Sequence, residues 1–159
     1  MNLRKNQKGF TIVELLIVVV VIAILAAISI VAYTGITNRA NRSAAMEAAN
    51  SVKSVAVAYN GANSQYPTSK AEFVSGGTDA IAKLPCDITF ASSVLTAAPT
   101  TTGPKTVSVT RHPSTGTIVG FTITYWDYAP AGGGSPAAAT MTVGDTSTAS
   151  TTVLAGAAC

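Results

Sequence analysis

The residues most able to do chemistry lie close together near the start of the sequence, in Lys8-Gly9-Phe10-Thr11-Ile12-Val13-Glu14-Leu15-Leu16. Glu14 is an acid set in an apolar run, and no further charge follows it until Arg39. Arg4, Lys5 and Lys8 stand directly in front. A carboxylate in hydrocarbon is costly, so one that is retained there calls for a cationic partner or an interfacial position. Near a helix N-terminus it is also favourably placed against the positive end of the dipole. Gly9 offers an unhindered backbone between the basic cluster and the apolar run. The bland alternative is an interfacial Glu tolerated in an ordinary membrane anchor.

The other candidates are scattered. His112, the sole histidine, precedes Pro113 and reads as a surface turn residue rather than a ligand. Asp79, Asp87, Asp127 and Asp145 are far apart in sequence, and calcium between some of them is the one metal they could serve. Tyr125, Trp126 and Tyr128, with Lys105 and Arg111 nearby, could stack on DNA bases, although strand aromatics more often pack. Asn41-Arg42-Ser43 is the single Asn sequon. No Gly-rich phosphate loop, metal-ligand cluster or nucleophile–base pairing is present in the sequence. The expectation is therefore a chain without catalytic residues, metal or cofactor.

These residues must be positioned by a chain of 159 residues that is 11% charged, low for a soluble domain. Its net charge of +3 is due to the leader: without Arg4, Lys5 and Lys8, seven basic residues face seven acidic ones. The basic balance is thus no argument for nucleic acid. Residues 10–31 give about 22 largely apolar positions, enough to cross the ~30 Å hydrocarbon core as a helix. A cleavable secretory signal is the alternative, with Ala23-Ile24-Leu25-Ala26-Ala27 weakly compatible with its small-residue cleavage site. Basic residues before the span predict that the N-terminus stays in the cytoplasm and the remainder crosses.

The helix is expected to continue through residues 33–60. Ile36, Ala40, Ala44, Ala48, Val52, Val55 and Tyr59 recur every three or four residues as one apolar stripe. Arg39, Arg42, Glu47 and Lys53 fall mostly away from it. Asn60-Gly61 supplies the stop. Residues 10–60 would then make a rod of roughly 75 Å. Residues 61–105 are irregular by pattern, with Thr68-Ser69-Lys70-Ala71-Glu72-Phe73 as a short capped turn. Strands follow over Thr106–Arg111, Thr117–Tyr128, Ala138–Val143 and Thr151–Leu154. An antiparallel sheet with one apolar face, laid on the amphipathic half of the helix, satisfies both elements. The domain plan is therefore residues 1–9 as leader, 10–32 as apolar helix half, 33–60 as amphipathic half, and 61–159 as a loop-and-sheet domain of α+β class. In an exported chain, Cys86 and Cys159 read as a disulfide, which in the chain-entropy view constrains the unfolded state by at most about 4 kcal/mol. Two unrelated buried thiols are the alternative.

The stretch from Lys8 to Leu16, with its basic leader and apolar continuation, closely resembles the N-terminal signature of prepilins, the precursors of type IV pilins and pseudopilins. The likeness covers about 25 residues. It implies that a membrane aspartyl protease, the prepilin peptidase, cuts between Gly9 and Phe10 and methylates the new amine of Phe10. It implies that Glu14 pairs with the Phe10 amine of a neighbouring subunit, setting register more than adding stability. It also implies a membrane-held precursor, drawn by an assembly platform and its ATPase into a helical homo-oligomeric filament on the cell surface. Adhesion, motility or DNA capture would then reside on the sheet domain.

Two features depart from the family pattern. Many major pilins carry a proline late in the apolar segment, where this chain has Val31, so Gly35 beside Thr34 and Thr37 becomes the weak point. The usual bridge also encloses a shorter C-terminal region than Cys86–Cys159. The resulting expectation is a filament subunit, with the small size favouring a major pilin. A pseudopilin of a type II secretion system is the alternative, and an enzyme on a simple anchor is a third.

Overall fold

A computed structural model describes residues 9–75 and 83–154. The elements, in chain order, are α1 (Ile12–Asn63), α2 (Lys70–Ser75), β1 (Thr89–Phe90), β2 (Thr106–His112), β3 (Gly120–Asp127) and β4 (Ala137–Gly144). The fold is α+β, a long N-terminal helix followed by a four-stranded sheet in the order β1-β2-β3-β4.

The chain divides into two compact units, residues 1–37 and 38–159. In the first, α1 is apolar all round. Every described side chain from Phe10 to Ile36 is exposed, and this helix alone among the described residues is long and apolar enough to cross a membrane. The hydroxyls in and just beyond this stretch turn inward to the helix itself. Ser29 donates to Leu25 O (2.8 Å), Thr34 to Val31 O (2.9 Å) and Thr37 to Tyr33 O (3.2 Å). Such back-bonding hides a polar group from apolar surroundings. The helix is unbroken through Val31 and Gly35, so the weak point expected at Gly35 is not a break in this structure.

In the second unit the buried helix residues are Ala45, Ala48, Ala49, Val52, Val55 and Ala56. The expected stripe is therefore buried from Ala48 to Val55, half-buried at Ala44 and Tyr59, and wrong at Ile36 and Ala40. Ile36 is 66% exposed and Ala40 is also exposed, while Arg42 is half-buried. Four of these six residues are alanine. Helix termination also differs from expectation. Gly61 lies inside α1, and the left-handed residue is Ser64 (φ 55°), whose N–H donates to Asn60 O at 2.8 Å. A single bond of this kind, from the left-handed residue back to the carbonyl four residues earlier, is the αL type of helix end, in which a small non-glycine residue can replace glycine.

The segment after α1 is less irregular than its composition implies. In α2, Glu72 accepts from Thr68 N–H (2.6 Å) and the Thr68 hydroxyl (3.1 Å), the capped turn the sequence predicts. Leu84 and Ile88 are buried, and Leu95 N–H donates to Ser108 Oγ at 3.3 Å, so this segment packs on the sheet. β1 pairs parallel with β2, making the sheet mixed rather than purely antiparallel. The β2–β3 and β3–β4 pairs are antiparallel, with Val109 opposite Ile123 and Ile123 opposite Met141. Alternation places Val107, Val109, Phe121, Ile123, Tyr125 and Val143 in the core beneath α1. The fourth expected strand, Thr151–Leu154, reduces to a bridge between Val153 and Thr110 on the outer side of β2.

Candidate functional site

The start of α1 is built by Thr11 and Glu14. Thr11 stands just outside the helix, and its hydroxyl accepts Glu14 N–H at 3.2 Å. The Glu14 carboxylate reaches back and accepts both Thr11 N–H (2.9 Å) and the Thr11 hydroxyl (2.8 Å) through Oε2. This reciprocal arrangement, Thr-x-x-Glu, satisfies two donors that a helix start otherwise leaves unpaired. Gly9 and Phe10 remain outside the helix, and Phe10 is 90% exposed. The Gly9–Phe10 bond is therefore an accessible, non-helical peptide standing immediately before a capped apolar helix. Thr11 was not among the residues picked out by chemistry, although its spacing to Glu14 carries the capping signal openly.

The remaining candidates are placed apart. His112 is not a surface turn residue: it ends β2, is buried at 7% exposure, and its ring contacts Thr148 O through Nδ1 and Thr122 Oγ1 (2.9 Å) through Nε2. It pins the chain leaving β4 across the end of the sheet. The strand alternation of β2 simply runs one residue further than Pro113 suggests.

Asp87 pairs with Lys105, and that ammonium holds its carboxyl below the ordinary value. Asp127 stands 3.3 Å from Arg42 Nε and accepts Ala129 N–H at 3.0 Å. Asp145 accepts Ser147 N–H at 2.8 Å, which lowers its pKa. Asp79 lies outside the described residues. No group of three or more His, Cys, Asp or Glu residues among those described could hold a metal. Arg42, expected away from the sheet, also donates from Nη1 to Ala129 O at 2.9 Å. Tyr125 is in the core at 6% exposure and Lys105 is engaged with Asp87, so the aromatic cluster is not a free stacking platform. Cys86 is not a free thiol. Its expected partner, Cys159, lies outside the described residues.

No curated protein and no solved structure matches this chain significantly. One family model does, the prokaryotic N-terminal methylation motif, over residues 4–30. That stretch contains the Gly9–Phe10 bond, Thr11 and Glu14. The long helix followed by a sheet is consistent with a type IV pilin fold, and the chain carries the prepilin-type cleavage and methylation signal of type IV pilin-like and pseudopilin precursors.

Proposed function

We propose that this chain is a structural subunit, not an enzyme, and that it is the major pilin of a type IV pilus. The supporting observation is the methylation motif running without interruption into an apolar helix whose side chains are exposed on every face. An apolar surface of that extent needs lipid or other protein around it. In this reading the precursor sits in the cytoplasmic membrane with its N-terminus in the cytoplasm. Prepilin peptidase cuts after Gly9, removing the basic leader while leaving the membrane span whole, and Phe10 becomes the methylated first residue. The platform and ATPase then transfer the helix from lipid into a filament core.

Glu14 is the assembly residue. Oε2 is engaged by Thr11, and the other carboxylate oxygen is the one to meet the Phe10 amine of a neighbour. A Cys86–Cys159 bridge would fasten the end of the chain to the segment between α2 and β1. The sheet domain faces solvent, where adhesion, motility or DNA uptake would act. The test is Glu14→Ala. Assembly predicts normal membrane level and leader removal with loss of polymerised protein, whereas unchanged polymer would point to a plain anchor. Electron microscopy separates the two filament readings: long surface fibres containing this chain support a pilin, and their absence from a cell making a type II secretion system supports a pseudopilin.

A further inference from the structure

Two backbone bonds that α1 does not make decide the state of the Gly9–Phe10 peptide. A helix starting one residue earlier would have Glu14 N–H donating to Phe10 O, and the next step back would have Val13 N–H donating to Gly9 O. The ladder instead opens with Leu15 N–H to Thr11 O at 3.3 Å, and α1 begins at Ile12. Glu14 N–H is held by the Thr11 hydroxyl oxygen at 3.2 Å. The hydroxyl hydrogen goes to Glu14 Oε2 (2.8 Å), which also accepts Thr11 N–H (2.9 Å), so the lone pairs of the hydroxyl oxygen are left to Glu14 N–H. A side chain therefore takes the donor that Phe10 O would otherwise receive.

Gly9 O is the carbonyl of the Gly9–Phe10 peptide, and both residues are exposed outside the helix. Hydrolysis there joins a water oxygen to the Gly9 carbonyl carbon and breaks that carbon's bond to Phe10 N, which leaves as the amine with a proton from the water. A carbonyl bonded into a helical turn is closed to this attack until the turn unwinds. Losing the cap would move the helix start, and the direction is set by the residues on either side. Inward, every side chain from Ile12 onward in this unit is exposed and nearly all are apolar, so unwinding would leave backbone groups unpaired in hydrocarbon. Outward, Gly9 is the next residue that caps better than an apolar side chain, and as the cap its own carbonyl would accept the first helical bond.

We propose that Thr11 is a positioning residue for leader removal: by holding Glu14 N–H, its hydroxyl stops α1 short of the Gly9–Phe10 peptide and keeps the Gly9 carbonyl open to hydrolysis. The proposal rests on the reading of Gly9–Phe10 as the processing site, and it separates the work of Thr11 from that of Glu14. In Glu14→Ala the backbone N–H of residue 14 can still donate to Thr11 Oγ1, so the stop survives while the carboxylate needed for assembly is lost. In Thr11→Val the carboxylate survives and the stop is lost.

The test follows the rate at which the full chain, in membranes containing its peptidase, loses residues 1–9, read by mass. Thr11→Val keeps the shape of the side chain without its hydroxyl and is expected to slow leader removal about fivefold, the size of a typical lost cap. Thr11→Ser and Thr11→Asn are good caps and are expected to be processed within about twofold of the native rate. Asparagine differs from threonine in shape, so a contact between residue 11 and the peptidase would slow Thr11→Asn as much as Thr11→Val. A second readout needs no peptidase: in the uncleaved chain in detergent, the Gly9 and Phe10 carbonyl-carbon resonances move toward helical values in Thr11→Val and keep their native values in Thr11→Asn. Native-rate processing of Thr11→Val, equal slowing of Thr11→Asn, or unmoved carbonyl resonances in Thr11→Val would overturn the proposal while leaving the processing site standing. A native chain that keeps residues 1–9 would refute the processing site, and the proposal with it.

Discussion

Truncating Phe121 tests the packing that holds the sheet unit together. Phe121 is fully buried on β3. Its ring meets Tyr66 edge-on at 5.7 Å and Phe73 at 5.8 Å, joining the segment after α1 and helix α2 to the sheet. Phe73 in turn lies 5.6 Å from Phe90 of β1. Phe121→Ala removes a large buried side chain with little room for collapse, a loss of about 3–5 kcal/mol. For a unit of this size that lowers the unfolding temperature by on the order of 10 °C or more. The assay is thermal unfolding of the full chain in detergent, followed by near-ultraviolet circular dichroism so that the exposed apolar helix contributes little. The aromatic contact itself is isolated by a cycle of Phe73→Leu, Phe121→Leu and the double variant, with an expected coupling of about 0.5–1.5 kcal/mol. A shift of only a degree or two for Phe121→Ala, together with strict additivity in the cycle, would refute this account of the core.

Two further perturbations probe polar contacts. Arg42→Met leaves the nearly buried Asp127 with Ala129 N–H as its remaining described partner and is expected to cost about 2 kcal/mol in chemical denaturation, with Arg42→Met/Asp127→Asn milder than the single change. The Asp145 carboxyl, lowered by the Ser147 N–H, is expected to titrate below the unfolded value of about 3.9 when followed by carbon NMR. Because the folded pKa is the lower one, its contribution to stability is present above that unfolded value and disappears as pH falls through the folded pKa. Asp145→Ala removes this dependence.

The long helix, the apolar span and the three principal strands were legible because their periodicities are strong and local. Val107 and Val109 on β2 and Phe121, Ile123 and Tyr125 on β3 alternate, and all five are buried, whereas Val119, which continues the β3 series toward its start, lies before the strand and is 41% exposed. What the sequence concealed depends on contacts between distant segments. Alanine occurs all around α1, so the pattern alone could not tell that Ala45, Ala49 and Ala56 are buried while Ala40 is exposed. Arg42 lies on the inner side because Asp127 and Ala129, far away in sequence, receive it there. The two-residue parallel strand β1 and the bridge at Val153 are too short to carry any period. His112 looked like a turn residue because Pro113 follows it, yet Thr122 and Thr148 make it an interior fastening. At the N-terminal site the chemistry-bearing residues were readable, and so was the Thr11–Glu14 spacing, whose role as a reciprocal cap emerged only with the geometry.

The central claim is that the accessible Gly9–Phe10 bond before the capped helix is a processing site. Mass spectrometry of the protein purified from its own cells measures this directly. The account predicts a chain that begins at Phe10 and carries one methyl group on its amine. A purified chain retaining residues 1–9, or one cut within the apolar segment at Ala26 or Ala27, would contradict it.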